Sequence, residues 1–279
     1  MIDTDSLSDT STDFRLDGHV VVVTGGYGVL GSAMSRGLAD AGAAVVLLGR
    51  SADKAAAAAE ALDGGERAFG VAADVLDADQ LADARDAVLD RFGRVDALVN
   101  AAGGNVSGAT LSPGASPFGL EADAWRAVVD LNLHGTILPT QTFGPALADG
   151  EAGAVVNVSS MAASRVISRV AGYSVAKAGV DHFTRWMAVE LAKQTDGRVR
   201  VNAVAPGFFV AEQNHDLLLN GDGSLTERGG DIVAHTPAGR FGEPAEVAGP
   251  VVFLCSRAAR FVTGAVLPID GGFSAYGGF

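Results

Sequence analysis

Along most of the chain, short apolar runs alternate with longer stretches in which apolar positions recur every three or four residues. The short runs are residues 19–24, 44–48, 69–72, 97–100, 154–158, 199–204 and 265–269. Continuous apolar runs of this length are what strands buried on both faces look like. Residues 30–41, 52–62, 80–92, 124–147 and 174–192 are of helix length and fall between the runs. Parallel strands need such crossover helices, so the alternation predicts one α/β domain of the doubly wound, Rossmann type with a parallel sheet of about seven strands. No linker or internal repeat divides it. The domain is expected to span residues 17–279, with 1–16, rich in Asp, Ser and Thr, as a flexible tail. Two stretches break the rhythm, 103–123 and 208–242. Both follow strand ends, where ligands bind in this architecture, and both are expected to cover a substrate.

Composition narrows the possibilities. With 279 residues, 48% hydrophobic and 19% charged, the chain can bury a large core and does not have the make-up of a disordered one. Its formal net charge of −13 would repel a phosphate backbone, so nucleic acid is not an expected partner. Cys255 stands alone and the five histidines form no His-x-x-x-His pair, so neither an intrachain disulfide nor a metal site is expected. No run approaches the roughly 18–20 apolar residues of a membrane span. The first residues lack a basic region followed by an apolar stretch, and the expected location is the cytoplasm.

The first strand runs into Thr24-Gly25-Gly26-Tyr27-Gly28-Val29-Leu30-Gly31. Glycines here give a tight turn and let backbone approach a pyrophosphate, while the next helix points its N-terminal N–H groups at the phosphates. In a β/α alternation this is a dinucleotide signature, with Gly25, Tyr27, Gly28 and Leu30 as the expected cofactor contacts; a purely structural turn is the alternative. The second strand ends Leu48-Gly49-Arg50-Ser51, with no acid at its tip to hold the ribose hydroxyls of NAD. Arg50 and Ser51 suit a 2′-phosphate instead, so NADP(H) is favoured over NAD(H). The competing reading is that Arg50 is an ordinary solvated residue. Asp74, after the third strand, either accepts from the adenine amine or caps the following helix.

The sharpest constellation is Ser160, Tyr173 and Lys177. Tyr173-Ser-Val-Ala-Lys177 lies at the start of an expected helix, where residues four apart share a face. Free tyrosine has a pKa of about 10 and is a poor base at neutral pH. An ammonium one turn away stabilises the phenolate and makes Tyr173 an acid for ketone reduction or a base for alcohol oxidation. Ser160, just past the fifth strand, is placed to hydrogen-bond an oxygen on which charge develops.

These residues, with Asp74-Val75, Asn100-Ala-Ala-Gly103, Asn132, Ser159-Ser160 and Pro206-Gly207, resemble the short-chain dehydrogenase/reductase family, in the family's order and over nearly the whole chain. The resemblance implies that Lys177 also holds the nicotinamide ribose and that Asn132 fixes a water for proton relay. It implies that Asp74, Val75, Asn100 and Ala102 line the cofactor and that Pro206, Gly207 and Phe209 lie by the nicotinamide. For Asn132 and Asn100 the structural alternatives are a helix-kink hydrogen bond and a turn. Two positions depart from the pattern: Val29 stands where many members carry glycine, and Ala211 replaces a threonine that helps hold the carboxamide. Glu212, Gln213 or backbone would have to compensate there.

Within the family, the stretches 206–214, 217–228 and 235–243 resemble the D-mannonate oxidoreductase (fructuronate reductase) subgroup. The implied reaction is reduction of a keto-uronic acid. The alternatives are another polar carbonyl, as in a gluconate 5-dehydrogenase-like or 3-oxoacyl reductase, and a non-catalytic NADP(H)-binding protein. A sugar acid needs a cation and neutral hydroxyl partners. Arg165 and Arg169 lie between Ser160 and Tyr173, and Asn105, Gln213 and Asn214 lie on the covering stretches; both arginines would otherwise be surface or subunit-contact residues. Relatives form homodimers or homotetramers through two long helices, and the same is expected here.

Overall fold

The computed structural model describes residues 12–62, 67–106, 108–211 and 214–278. Seven strands form one parallel sheet: β1 Val20–Thr24, β2 Ala44–Gly49, β3 Ala68–Ala72, β4 Ala97–Asn100, β5 Gly153–Val158, β6 Val199–Pro206 and β7 Val266–Ile269. Their order is β3-β2-β1-β4-β5-β6-β7. The direction of winding therefore reverses at β1 and β4, which pair in parallel with Thr24 opposite Asn100. A crevice opens beyond the strand ends at such a reversal, and the site lies there.

The alternation along β1 shows why the strands read as unbroken apolar runs. Val21 and Val23 belong to a core under α1 (Val29–Asp40), α2 (Ala52–Ala61) and the late helix α9 (Ala248–Cys255). Val20 and Val22 belong to the opposite core, under α3 (Ala78–Phe92), α5 (Gly135–Asp149) and α6 (Ala171–Gln194). Both faces are dry, so no polar alternation is left to see. Phe143 of α5 is wholly buried in the second core, where truncation to alanine costs about 3–5 kcal/mol.

The structure corrects the sequence reading in four places. The expected helix over 124–147 is two helices, α4 (Ala122–Val129) and α5, joined by a π-helical segment at Asp130–His134. The cause is Asn132, whose side-chain amide donates to the Val128 carbonyl at 2.8 Å and takes over a rung of the ladder. The expected loop over 208–242 contains α7 (His215–Leu218) and α8 (Glu227–Ala234). Helix α9 went unread because Ala-Gly-Pro-Val-Val-Phe-Leu-Cys is apolar on every side and shows no stripe. Finally, the described part of the expected tail is packed down. Leu16 is wholly buried, and Asp13 pairs with Arg260 at 3.0 Å. Residues 1–11 lie outside the described residues. Among the described residues, no helix is long and apolar enough to cross a membrane, and no His/Cys/Asp/Glu cluster could hold a metal.

Candidate active site

A cavity of about 700 Å³ opens at the β1/β4 reversal, between the glycine turn and the covering segments. It is lined by Gly25, Gly28, Leu30, Ser160, Tyr173, Lys177, Pro206, Gly207 and Phe209. Residues from three parts of the chain, the β1–α1 turn, the β5–α6 unit and the exit of β6, thus meet in one space.

The floor is built by backbone approach. Gly25 has a φ of +63°, and a Cβ on Gly31 would lie 2.1 Å from the Gly25 carbonyl oxygen, so the turn and α1 can close together only as glycines. No side chain caps α1 at Gly28, whose first-turn residues line the cavity. That end of a helix is free to meet a phosphate, and the cradle fits a dinucleotide. Thr24, which the sequence reading quoted but gave no role, accepts from the Ala101 and Ala102 N–H groups at 3.1 Å each and ties β1 to the exit of β4.

Beyond the cavity, the tips of β2 and β3 carry the residues expected at the adenosine end. Arg50 is exposed. Ser51 is engaged twice: its hydroxyl caps α2 by accepting from Lys54 N–H, and its own N–H donates to the Tyr27 hydroxyl at 3.0 Å. Tyr27 thereby buttresses the β2 tip. Asp74 accepts from Leu76 N–H at 3.0 Å, while Asp77 is the residue that caps α3. Asp74 is therefore not the helix cap, and Val75 beside it is buried.

Asn100 and Asn132 take structural positions. The Asn100 amide donates to Thr140 and to Asn157, each at 2.9 Å, and Asn157 donates to Thr184. This chain of polar groups joins α5, β4, β5 and α6 inside the core, and Asn100 does not line the cavity. Asn132 holds Gly104 from both sides, accepting its N–H at 3.0 Å and donating to its carbonyl at 2.7 Å. A Cβ on Gly103 would lie 2.8 Å from Asn132 Oδ1 and 3.3 Å from Lys177 Nζ, so these groups converge on the loop leaving β4.

The reacting groups come from β5 and α6. Ser160 accepts from Ala162 N–H at 3.2 Å, and its hydroxyl lies on the same wall of the cavity as the Tyr173 phenol. Burial raises the Tyr173 pKa, and the neighbouring Ser160 hydroxyl opposes that. Lys177 Nζ donates to the Val158 carbonyl at 2.7 Å and lies 5.6 Å from the centroid of the Tyr173 ring. Burial lowers the Lys177 pKa to about 8, against the pull of Asp181 one turn later. Asp181 in turn accepts from Ser159, and its own pKa is raised by burial. An acid, a hydrogen-bond donor and a tuning cation therefore share one wall.

The expected substrate residues separate. Asn105, Arg169 and Asn214 line the cavity; Arg165 does not. Its guanidinium instead donates to the Ser274 carbonyl, with Nε at 2.7 Å, so it ties the 163–170 segment to the C-terminal one. Arg169 has a φ of +78° and exchanges bonds with Leu111: its carbonyl accepts the Leu111 N–H at 3.0 Å and its Nε donates to the Leu111 carbonyl at 2.5 Å. Asn105 donates to Thr110, and Asn214 closes its own turn onto Ala211 and Phe209. Gln213 and Glu212 lie outside the described residues. Arg228, at the start of α8, also lines the cavity and was not read from the sequence. Only the folding of α7 and α8 brings it there.

The Enoyl-(Acyl carrier protein) reductase family model matches residues 28–274. An uncharacterised oxidoreductase of Bacillus subtilis, UxuB, is 43% identical over 274 residues, covering 95% of this chain and 98% of that one. A Haemophilus influenzae protein solved with bound NAD, provisionally assigned as a D-mannonate oxidoreductase, superposes with a TM-score of 0.87 at 35% identity, over 96% of this chain and 99% of that one. A gluconate 5-dehydrogenase of Burkholderia cenocepacia, solved with NADP and tartrate, superposes with a TM-score of 0.84 at 32% identity, over 95% and 99%.

Proposed function

Because this chain belongs to the short-chain dehydrogenase/reductase family, and so interconverts a small-molecule alcohol and a carbonyl with a nicotinamide cofactor, we propose that it reduces the ketone of a sugar acid of the fructuronate/mannonate kind with NADPH. One observation carries the substrate class. Among the described residues, the only charged groups lining the cavity are Lys177, Arg169 and Arg228, and no carboxylate lines it. In a protein of net charge −13, such a cavity selects an anion. The tartrate bound by the Burkholderia cenocepacia relative is a hydroxy-acid and agrees with that selection. Arg50 at the β2 tip, with no acid beside it, supports NADPH over NADH.

When bound, the cofactor supplies hydride to the carbonyl carbon. Tyr173 gives its phenolic proton to the carbonyl oxygen as charge builds there. Ser160, which lines the same cavity as Tyr173, holds that oxygen beside the phenol. Lys177 lowers the energy of the phenolate left behind, and Asn132 fixes Gly104 and the adjoining loop beside it. Val175, Trp186 and Val189 are exposed on one face of α6, which supports assembly into a dimer or tetramer through that helix.

The test is a panel of keto-uronates, neutral ketoses and oxoacyl thioesters, each followed by NADPH and NADH absorbance. Turnover is expected on the keto-acids with NADPH. Efficient turnover confined to neutral ketoses or thioesters would overturn the sugar-acid reading, and preference for NADH would overturn the cofactor assignment.

A further inference from the structure

Helix α8 carries a cation that no described residue uses. Its start is fixed by Thr226, which accepts from Gly229 N–H at 3.0 Å, donates its hydroxyl to Leu217 at 2.8 Å, and donates its N–H to the Leu218 carbonyl at 3.0 Å. Gly229 packs so closely on α7 that a Cβ would lie 2.2 Å from the Leu218 carbonyl oxygen. Arg228 stands between these two anchors, so its backbone position is set by the helix pair. The residue is half-buried at the cavity, which Leu217 and Asn214 also line. It makes no hydrogen bond or ion pair with any described residue. A guanidinium offers five N–H donors in a planar fork suited to a carboxylate. Taking it partly out of water without a partner is a cost that a bound anion removes.

The other cationic candidates are less available. Arg165 is committed to Ser274 and lies off the cavity. Arg169 lines the cavity, but it spends its Nε on Leu111 and holds that segment in place. Lys177 is occupied with Val158 beneath Tyr173.

We infer that Arg228 receives the carboxylate of the substrate, entering from α8, with Arg169 as a second donor from the segment that carries Ser160. This rests on the sugar-acid reading and adds the residue that selects the acid. The α7–α8 pair then acts as the wall that sorts anionic from neutral substrates.

The experiment compares the parent, Arg228→Gln, Arg228→Lys and Arg169→Gln on D-fructuronate and on the neutral ketose D-fructose. NADPH affinity is measured separately by fluorescence titration. Arg228→Gln is expected to raise KM for the acid by roughly 10- to 150-fold. KM for the ketose and NADPH affinity should stay near parental values, and Arg228→Lys should recover part of the loss. Unchanged KM for the acid in Arg228→Gln would overturn the inference while leaving the sugar-acid reading intact. Weakened NADPH binding in its place would also overturn it and assign Arg228 to a cofactor phosphate. A parent that reduces the ketose as efficiently as the acid would overturn the sugar-acid reading, and the inference with it.

Discussion

The Lys177 ammonium lies 5.6 Å from the centroid of the Tyr173 ring and is anchored at 2.7 Å on the Val158 carbonyl, two residues before Ser160. The strand that presents the hydroxyl donor thus also positions the cation that charges the phenol. A shift of β5 would move both together.

Tyr173→Phe removes one hydroxyl and little packing. Turnover should fall by about 10²–10⁴-fold, with NADPH affinity nearly unchanged in a fluorescence titration. Turnover within tenfold of the parent would take Tyr173 out of the proton transfer.

Arg50→Asp should move preference from NADPH toward NADH, because it removes a 2′-phosphate partner and brings a carboxylate to the ribose hydroxyls. The measurement is kcat/KM with each cofactor, before and after. Arg50 is exposed, so thermal stability should hardly change. A parent that already prefers NADH would refute the assignment whatever the variant does.

Lys177→Met should abolish activity yet stabilise the cofactor-free protein at neutral pH. Burial lowers the Lys177 pKa from 10.5 to about 8. Between those values the folded chain holds fewer protons than the unfolded one, so stability rises with pH across the window and the cost of the buried charge is full below it. The variant lacks that cost. Its Tm should exceed the parent's at pH 7, by about 2–4 °C per kcal/mol relieved, and the gap should shrink toward pH 10. Burial raises the Cys255 thiol to about 12, which affects both proteins alike above pH 9 and cancels in the comparison. A lower Tm at pH 7 would mean that the Val158 bond outweighs the burial cost.

Asn132→Asp would turn a carboxylate toward the Gly104 and Val128 carbonyls, which Asn132 now serves as a donor at 2.7 and 2.8 Å. Its folded pKa would be raised, so stability is retained in acid and lost as pH climbs past the unfolded value of about 3.9. A loss of about 1–3 kcal/mol is expected at pH 7, from the donor bonds replaced by repulsion. Denaturant midpoints at pH 3 and pH 8 check this; a loss at pH 3 equal to that at pH 8 would contradict it.

Arg165→Gln should leave KM for a keto-acid within about twofold of the parent, as a surface substitution away from the cavity does. It should instead speed proteolysis of the C-terminal segment, which loses its tie at Ser274. A strong rise in KM for the acid alone would restore Arg165 to the substrate.

Most of the fold was legible because burial on both faces of the sheet leaves strands as plain apolar runs, and glycine spacing reports a backbone contact directly. Ser160, Tyr173 and Lys177 were legible because a short segment carries them in register. What escaped depends on tertiary contacts. Asn100 and Asn132 were read as cofactor and relay groups; that their amide nitrogens also donate to Thr140, Asn157, Val128 and Gly104 has no local mark in the sequence. Arg165 and Arg169 look equivalent in sequence; only the C-terminal segment, more than a hundred residues later, distinguishes them. Arg228 sits in a polar stretch with no local mark, and α9 lacks the stripe that periodicity needs.

The π segment at Asp130–His134 sets a rule for redesign. One extra residue in a turn rotates everything after it by about 100° around the helix axis. Heptad counting carried from Trp125 of α4 into α5 would therefore assign Thr136 and Thr140, both wholly or almost wholly buried, to the wrong face. Deleting any single residue there would bring the two halves back into phase and swing Asn132 away from Gly104. Grafted or shuffled sequences must preserve the length of this segment before its composition, since its residue count decides which face of α5 meets the sheet.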